Sequence, residues 1–434
     1  MEYGKCPECN QENSGYKWCN PCNSKHFQND FNNWTSGNDK IDKFIQNAQL
    51  NADGNLGVIE WIPYDRFKDV KQVGKGGFGT IHYARWIDGS IYEWDIKNQQ
   101  WKRDRKYSEE VALKKFDNFV NFNDVLNEMK IHLKTHDEFV SIQFYGITQD
   151  PETHSYMMVL QYASEGNLRE YLKINFNNIN WLQKLSNLRN LSINLMNIHI
   201  LDIIHQDFHP GNILSYDFKD TMLISDFGLS KIIGANPNNP EKKNIFGVLP
   251  YIAPEVLSGE EYTKAADVYS FGIIAYEMVT GFPPYPDIPH DKDLAMKICD
   301  GLRPKIPFHI PKLITRMIMR CWDARVTYRP TFKELPGELR KYYWDYDYYL
   351  KKGGNEDSEI VIQIKKAEEF SANQESTNST NSTTTTPFNY QTHPQAIYTS
   401  RLLNYSKLPK PKNEENFERE LEELTESMSL LIQI

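Results

Sequence analysis

The spacing of apolar residues along the chain predicts helices in two places. In residues 122–136, FNDVLNEMKIHLKTH, the apolar side chains recur every four residues, which places them on one helical face. A second stripe, at spacings of four, three, four and three, consists of Phe417, Leu421, Leu424, Met428 and Leu431. Because this stripe covers only two heptads, we expect a short amphipathic helix within residues 413–434 that docks onto the main domain or a partner protein. A frayed terminal helix is the alternative.

Other segments have the composition of β-strands. Residues 69–86, DVKQVGKGGFGTIHYARW, contain two runs rich in Val, Ile and Tyr around a cluster of glycines. Residues 109–116, EEVALKKF, predict a strand with Ala112 and Lys114 on one face. A lysine that points inward needs a partner, and Glu128 on the first predicted helix can supply the carboxylate. An exposed surface pair is the alternative.

Composition divides the 434 residues into parts. A Cys- and Asn-rich head covers residues 1–55, and an aromatic-rich segment, residues 61–346, is long enough for a two-lobed core. Residues 353–412 include the low-complexity stretch STNSTNSTTTTPF, which has too little apolar surface to offset the entropy lost on folding. We therefore expect residues 353–412 to be mostly disordered.

Charge and hydropathy argue against several classes of protein. The 49 basic and 58 acidic residues give a formal net charge of −9, which disfavours a general surface for nucleic acid or anionic membranes. No apolar run approaches the roughly 20 residues of a membrane helix, and the start, MEYGKCPECN, lacks the apolar core of a secretory signal. We therefore expect a soluble, cytoplasmic protein that binds neither nucleic acid nor membrane.

The head contains two Cys-x-x-Cys pairs, Cys6 with Cys9 and Cys19 with Cys22, separated by nine residues. Four thiolates at this spacing are typical of a tetrahedral structural Zn²⁺ site. Reduced surface thiols are the alternative, and a disulfide is disfavoured in the cytosol. With Trp18 and few basic residues, the head is expected to contact a protein partner rather than nucleic acid.

The glycines between the first two predicted strands follow the spacing G-x-G-x-x-G at Gly74, Gly76 and Gly79. Glycines let backbone N–H groups approach phosphate closely, although three glycines can also form only a turn. A Rossmann nucleotide site needs a helix directly after the glycines, whereas the strand-like TIHYARW follows here. We therefore predict a strand-turn-strand lid.

Residues 203–214, IIHQDFHPGNIL, place Asp207 and Asn212 in polar breaks of an apolar run. The Pro-Gly pair can mark a plain turn capped by Asx side chains. Alternatively, the loop is catalytic, with the carboxylate accepting a proton from a substrate hydroxyl and the carboxamide ligating a metal. Further motifs follow in order: Asp226-Phe227-Gly228, Ala253-Pro254-Glu255, Asp267 in an amphipathic helix, and Arg329 in YRPTF.

Taken together, these motifs resemble the signature set of the protein kinase superfamily over about residues 67–340. GNLREYL and RCWDARVTYRPTF are most similar to the tyrosine-kinase-like group, and fungal members of that group resemble the chain in the lead-in WIPYDRF. The resemblance implies an α+β, bilobal protein kinase fold: a small antiparallel β lobe with one helix, a large mainly α-helical lobe, and ATP in the cleft.

The resemblance also implies roles for individual residues. Lys114 would hold the α- and β-phosphates and pair with Glu128, while Asp226 and Asn212 would each bind a Mg²⁺ ion. Asp207 would orient the attacking hydroxyl and take its proton. The other residues expected around ATP are Gly74, Gly76, Gly77, Gly79, Ile81, Ala112, Leu160, Gln161, Tyr162, Ala163 and Leu214. In the large lobe, Arg329 would pair with Glu255, and Asp267 would tie down the catalytic loop.

Two positions depart from the family pattern. Most serine/threonine kinases have lysine and threonine where this chain has His209 and Val248. Tyrosine kinases have other residues at these two positions, and this chain does not match those well either. Group resemblance favours a protein substrate phosphorylated on Ser or Thr. A catalytically silent pseudokinase is the alternative, and all five phosphate-handling side chains count against it. A further alternative places the main function in the zinc head.

Gln206 stands immediately before Asp207, where many related kinases have an arginine that clasps a phosphate on the activation segment. Glutamine carries no charge with which to pair a phosphate. In the activation segment, residues 229–252, the hydroxyl side chains are Ser230 and Tyr251, near its two ends. We therefore expect this segment to be ordered without phosphorylation.

Overall fold

The computed structural model describes residues 3–76, 79–104, 110–116, 122–136, 140–233, 245–331, 333–377, 392–405 and 407–429. The chain divides into two compact units. The N-terminal unit comprises Met1–Ala163 and Asp226–Gly228, and the C-terminal unit comprises Ser164–Ser225 and Leu229–Ile434. None of the helices in the described ranges combines the length and the apolar composition that crossing a bilayer requires.

The N-terminal unit is built around one sheet. Its strands are β1 Glu60–Trp61, β2 Phe67–Gly76, β3 Gly79–Trp86, β4 Ser90–Asp95, β5 Gln100–Asp104, β6 Glu110–Phe116, β7 Phe144–Gln149 and β8 Tyr156–Gln161. Within the described residues the sheet order is β1-β7-β8-β6-β3-β2, with β1 parallel to β7 and the other pairs antiparallel, while β4 and β5 form a separate hairpin. On β6, Val111 and Leu113 alternate with Ala112 and Lys114 and fill the core beside Trp86.

The helices of the N-terminal unit are α1 Asn20–Asp30, α2 Asp39–Asn51 and α3 Phe122–His136. The start of α2 is fixed by Asn38, whose side chain accepts hydrogen bonds from the N–H groups of Lys40 and Ile41. The helix predicted at residues 122–136 is α3, and Val125 and Met129 on its apolar face are buried.

The head packs against the β4–β5 hairpin. Trp18 and Phe27 of the head share an apolar cluster with Ile91 of β4. Trp101 of β5 stacks on Phe27, with ring centroids 4.3 Å apart, and His26 stacks on Trp94 at 3.9 Å. The tryptophans of the hairpin therefore give the short head an apolar surface that its own residues cannot provide.

The C-terminal unit is mainly helical. Its helices are α4 Leu168–Asn175, α5 Trp181–Ile200, α6 Pro254–Leu257, α7 Lys264–Thr280, α8 Lys292–Cys299, α9 Lys312–Cys321, α10 Glu334–Lys352, α11 Glu359–Thr377 and α12 Phe417–Ser429. Helix α7, which the sequence led us to expect as amphipathic, is instead buried at every residue from Ala266 to Thr280, because it packs against both α5 and α9. Gly272 permits the close contact with α9, since a Cβ there would lie 2.7 Å from Cβ of Cys321.

Short strands in the C-terminal unit form antiparallel pairs: β9 Ile203–Ile204 with β12 Lys231–Ile232, β10 Ile213–Leu214 with β11 Leu223–Ile224, and β13 Ile245–Gly247 with β14 Arg401–Leu403. The first two pairs bracket the loop that carries Asp207 and Asn212. The third joins the activation segment to a stretch of chain more than 150 residues further on.

The expectation that residues 353–412 are mostly disordered is wrong for the described part of that range. Helix α11 buries Ile360, Val361 and Ile364 and packs against α10, and β14 lies further along the same range. Tertiary contacts with α10 supply the apolar burial that local composition does not show. Most of the low-complexity stretch falls at residues 378–391, outside the described residues.

The amphipathic helix predicted within residues 413–434 begins at Phe417 as α12 and packs against α9. Phe417 is buried, and Arg316 Nε of α9 donates a hydrogen bond of 3.1 Å to Thr425 Oγ1. We expected this helix to dock onto either the main domain or a partner protein. In the structure, α12 contacts the main domain. Leu431 lies outside the described residues.

Candidate active site

Lys114 is held between two carboxylates inside the N-terminal unit. Its Nζ donates a hydrogen bond to Oε1 of Glu128 on α3 and lies 2.8 Å from Oδ1 of Asp226. Lys114 and Glu128 are only 5% and 2% exposed, so the pair is not a surface pair. Burial alone would lower the pKa of Lys114, but the charges of Asp226 and Glu128 raise it above its ordinary value. Lys114 is therefore a buried, positively charged side chain.

Asp226 is positioned by its own backbone and by the residue after it. Its φ of +60° lies in the left-handed region, which aspartate adopts more readily than most residues. Phe227 is fully buried, and its ring meets the ring of His132 on α3 edge to face, with centroids 5.0 Å apart. The anchored phenylalanine fixes where the Asp226 carboxylate points.

The two strands predicted on either side of the glycine turn are confirmed. Strand β2 ends at Gly76 and β3 begins at Gly79, and these two residues pair across the hairpin. Gly79 has a φ of +151°, and a Cβ there would lie 2.1 Å from the carbonyl oxygen of Lys115, so no larger residue fits. Gly77 lies outside the described residues.

The residues expected to contact adenine fall on neighbouring strands. Ile81 on β3 pairs with Lys114, and Ala112 on β6 pairs with Leu160 on β8. Gln161 ends β8, and the rest of the expected connector follows directly as Tyr162 and Ala163. These residues, like Gly74, belong to the N-terminal unit, whereas Leu214 lies on β10 of the C-terminal unit, where it bridges to Asn167.

The loop with Asp207 is held by hydrogen bonds within the C-terminal unit. Asp207 and Asn212 are both buried, and Asn212 Nδ2 donates to the backbone oxygen of Asp207 at 2.9 Å. Asp267 on α7 accepts hydrogen bonds from the backbone N–H groups of His205 and Gln206, at 2.9 and 3.1 Å. The sequence-based expectation that Asp267 ties down this loop therefore agrees with the structure.

His205 adds a second brace to the same loop. Its Nδ1 accepts a hydrogen bond from the backbone N–H of Asp207, and its Nε2 donates to the carbonyl oxygen of Ser225, at 3.3 and 3.0 Å. Both ring nitrogens of this buried histidine are thereby engaged in orienting backbone. Hydrogen bonds therefore hold the loop backbone on both sides of the Asp207 side chain.

Two ion pairs, one of them fully buried, stabilise the C-terminal unit around the loop. Arg329 forms the expected bidentate pair with Glu255, with both N–O distances 2.7 Å. The second pair was not expected: Arg169 Nη2 lies 3.7 Å from Oε2 of Glu277. Arg169 Nη2 also donates to the hydroxyl of Tyr251 at 2.8 Å, and this hydroxyl donates to Glu277. The sequence signal for it was Glu277 in the largely apolar C-terminal half of helix α7, because a buried carboxylate needs a partner.

The four head cysteines lie together. Their Sγ atoms are all within 4.8 Å of one another, with Cys6–Cys22 at 3.8 Å and Cys9–Cys19 at 3.6 Å. Four thiolates around one ion with Zn–S bonds of about 2.3 Å would have neighbouring sulfurs about 3.8 Å apart. The donor set and its dimensions therefore fit a tetrahedral metal site.

Comparison with known proteins agrees with this geometry. A model of the family described as "Protein tyrosine and serine/threonine kinase" matches residues 67–339, more than half of the chain. The chain therefore belongs to the protein kinase family, and the α+β kinase fold expected from the sequence is confirmed.

Relatives with different acceptor classes in their names are similar to the chain. Tyrosine-protein kinase SPK-1 of Girardia tigrina is 28% identical over 62% of the chain, and dual specificity protein kinase pyk3 of Dictyostelium discoideum is 26% identical over 64%. The protein named "Probable serine/threonine-protein kinase roco5" of Dictyostelium discoideum is 27% identical over 69%. The matches span 52%, 19% and 10% of these relatives' own lengths.

Proposed function

We propose that the chain is an ATP-dependent protein kinase of the tyrosine-kinase-like group that transfers the γ-phosphoryl group to a serine or threonine of a protein substrate. The observation that carries this proposal is the buried, charged Lys114, held by Glu128 and Asp226. A fixed positive charge is what the phosphates of ATP require, and maintaining one in a buried position is costly without such a role. A pseudokinase is disfavoured because Asp207 and Asn212 are also present and oriented.

The residues present fit Mg²⁺ and ATP. Asp226 offers a carboxylate oxygen, and Asn212 has its Oδ1 to offer because its amide nitrogen donates to Asp207. Mg²⁺ prefers such oxygen ligands, and when bound it neutralises charge on the transferred phosphoryl group. Lys114 would hold the α- and β-phosphates, and Glu128 would keep its ammonium group in place. Asp207 would orient the acceptor hydroxyl and receive its proton.

The proposal is tested with the full chain, Mg²⁺, radiolabelled ATP and a mixture of peptides that carry serine, threonine or tyrosine. We expect label on serine and threonine. Asp207→Asn should lower kcat by at least about 10², the range that general-base catalysis contributes, with little change in ATP affinity. Asp220→Asn, at an exposed site in the same unit, is the matched control. Nucleotide binding without labelling would favour the pseudokinase instead.

We further propose that Cys6, Cys9, Cys19 and Cys22 bind one structural Zn²⁺. The sulfur–sulfur distances support this assignment, and the six cysteines are all free thiols, as is usual in the reducing cytoplasm, where we propose that the protein acts. Since the head has few basic residues, we propose that it binds a protein rather than nucleic acid.

A further inference from the structure

Residues 392–405, here called the tail segment, lie along the catalytic loop inside the C-terminal unit. Strand β14 of the tail segment pairs antiparallel with β13 of the activation segment, with Leu403 opposite Ile245 and Arg401 opposite Gly247. Adding a strand to an exposed sheet edge is a common way for a protein to bind an extended peptide. The tail segment therefore occupies a peptide-binding position next to Asp207.

Ser400 is the residue of the tail segment that meets the proposed catalytic base. Its Oγ donates a hydrogen bond to Oδ2 of Asp207, and Nε2 of His209 lies 3.2 Å from the same Oγ. His209 Nδ1 accepts a hydrogen bond from Gly211 N–H at 3.0 Å, so its Nε2 carries the proton and donates to Ser400. The hydroxyl proton thus points at a carboxylate while the oxygen is oriented by an imidazole.

Contacts on the N-terminal side of Ser400 fix the register of the tail segment. The backbone N–H of His290 donates to the carbonyl oxygen of Gln395 at 2.9 Å, and Nδ1 of the same histidine lies 2.9 Å from the carbonyl oxygen of Ile397. Tyr398 donates from its hydroxyl to the carbonyl oxygen of Pro284 at 2.8 Å, and its ring lies over the guanidinium group of Arg169 at 4.6 Å.

On the other side of Ser400, Leu403 is buried opposite β13. The tail segment is therefore anchored before and after Ser400. Thr399, the neighbouring hydroxyl residue, is exposed. The anchoring selects one hydroxyl of the tail segment and presents it to Asp207.

We propose that Ser400 is phosphorylated in cis by the chain's own active site, and that the tail segment excludes other protein substrates until this happens. This inference rests on the proposed kinase function and names its first acceptor. Oγ of Ser400 forms a bond to the γ-phosphorus of ATP as the bond from that phosphorus to the bridging oxygen breaks. The hydroxyl proton passes to Asp207, and ADP leaves with the bridging oxygen.

Phosphorylation would also release the tail segment. A phosphoserine carries a charge of up to about −2, and at position 400 it would lie beside the Asp207 carboxylate. Repulsion between these like charges opposes the pairing of β14 with β13. The groove would then be open to external substrates, and the product of the first reaction would not re-bind.

The acceptor site is tested by incubating the full chain with Mg²⁺ and ATP and mapping phosphate by mass spectrometry. We expect phosphate on Ser400, formed with a first-order rate constant that does not change over about a hundredfold range of protein concentration, as for an intramolecular step. Ser400→Ala should remove this phosphate, and Thr399→Ala should keep it.

The outcomes separate the inference from the function on which it rests. Labelling of an external serine peptide with Ser400 unmodified would overturn the inference and leave the kinase assignment standing. A rate constant that rises with protein concentration would also overturn it, because the transfer would then occur between chains. Absence of label on every acceptor would count against the kinase function itself.

A second measurement needs no turnover. Without nucleotide, backbone amides of residues 393–403 should be protected from hydrogen exchange in wild type and in Ser400→Ala. The same amides should exchange rapidly in Ser400→Glu, which places a charge beside Asp207, and in Leu403→Asp, which places a charge in a buried position. Peptide KM should be at least about tenfold lower in Leu403→Asp than in Ser400→Ala, because a tethered competitor acts at millimolar effective concentration. Equal protection in all four proteins, or equal KM values, would contradict the inference. Ser400→Glu decides the exchange result if Leu403→Asp does not fold.

Discussion

Lys114 and Lys115 are adjacent on β6 and differ in what surrounds them. Lys114 is buried and faces Glu128 and Asp226, whereas Lys115 is 23% exposed and pairs with Asp150 at 2.7 Å near the surface. The alternation of side chains along a strand puts the two ammonium groups on opposite faces. The two lysines therefore have the same intrinsic preference for a strand. Of the two, only Lys114 carries its charge in an environment shielded from water.

Replacement of each lysine by methionine should change the free energy of unfolding by different amounts, because Lys114 belongs to a buried ion pair and Lys115 to a pair near the surface. Lys114→Met leaves a buried carboxylate without its partner and should lower the free energy of unfolding by about 3 to 5 kcal/mol. Lys115→Met should cost about 0 to 1 kcal/mol. Denaturant unfolding measures both, and phosphoryl transfer should be lost only in Lys114→Met. Equal activity in the two variants would show that Lys114 does not hold the phosphates of ATP.

The elements that could be predicted from the sequence are those whose side chains are required at fixed positions along the chain. The glycine spacing, the strand with Lys114 and the helix with Glu128 were found because local patterns identify them. Two elements could not be predicted in this way. Helix α11 depends on packing against α10, and β14 is a strand of three residues whose partner, β13, lies more than 150 residues away. Composition and short-range periodicity do not carry such long-range contacts.

The same limit applies to the candidate site. The resemblance to protein kinases, carried by motifs along the chain, implied the roles of Asp207, Asn212 and their brace Asp267. They did not predict the tail segment, because nothing around Ser400 in the sequence marks it as an acceptor. The position of Ser400 beside the catalytic loop is defined by its hydrogen bonds to Asp207 and His209, which are contacts between residues far apart in the sequence.

The activation segment is anchored by its two hydroxyl residues. Ser230 is buried and donates to the carbonyl oxygen of His205 at 2.9 Å, and Tyr251 is buried and donates to Glu277. A phosphate on either hydroxyl would have to displace these contacts and bring charge into the interior. These contacts support the proposal for the described ends of the segment, residues 229–233 and 245–252, which are held without phosphorylation, consistent with glutamine at position 206. Residues 234–244 lie outside the described residues.

Substitution of Ser230 tests this proposal. Ser230→Ala loses one hydrogen bond, worth about 1 kcal/mol, and should keep most of the kcat of the wild type for Ser400 phosphorylation. Ser230→Asp, which imitates a phosphate, should lower activity because it buries an unpaired charge. Initial rates of phosphate incorporation into protein first stripped by phosphatase provide the measurement. Activation by Ser230→Asp, or a loss of tenfold or more in the stripped protein that phosphorylation of Ser230 or Tyr251 restores, would refute the proposal.

At the scale of the whole molecule, each unit has a hydrophobic core of its own. In the N-terminal unit, Trp18 and Phe27 of the head pack with Ile91 of the β4–β5 hairpin in one apolar cluster. In the C-terminal unit, α7 is buried by α5 and α9. Zinc bound by the head cysteines would therefore contribute to the folding free energy of the head and hairpin, because metal binding by a site that exists only in the folded state is coupled to folding.

Zinc removal should consequently act on one part of the chain. Metal analysis of the full-length protein should find about one equivalent of zinc, since one Cys₄ site holds one ion. Cys9→Ser should lack it, and Cys299→Ser, which alters a buried thiol of α8, should retain it. Hydrogen exchange after chelation should rise in residues 6–27 and 90–104, where Trp18, Phe27 and Trp101 pack, and stay unchanged in α7 and α9. Equal zinc in Cys9→Ser and wild type would show that the four thiols do not form the site, and a uniform rise in exchange would show that the metal supports both units.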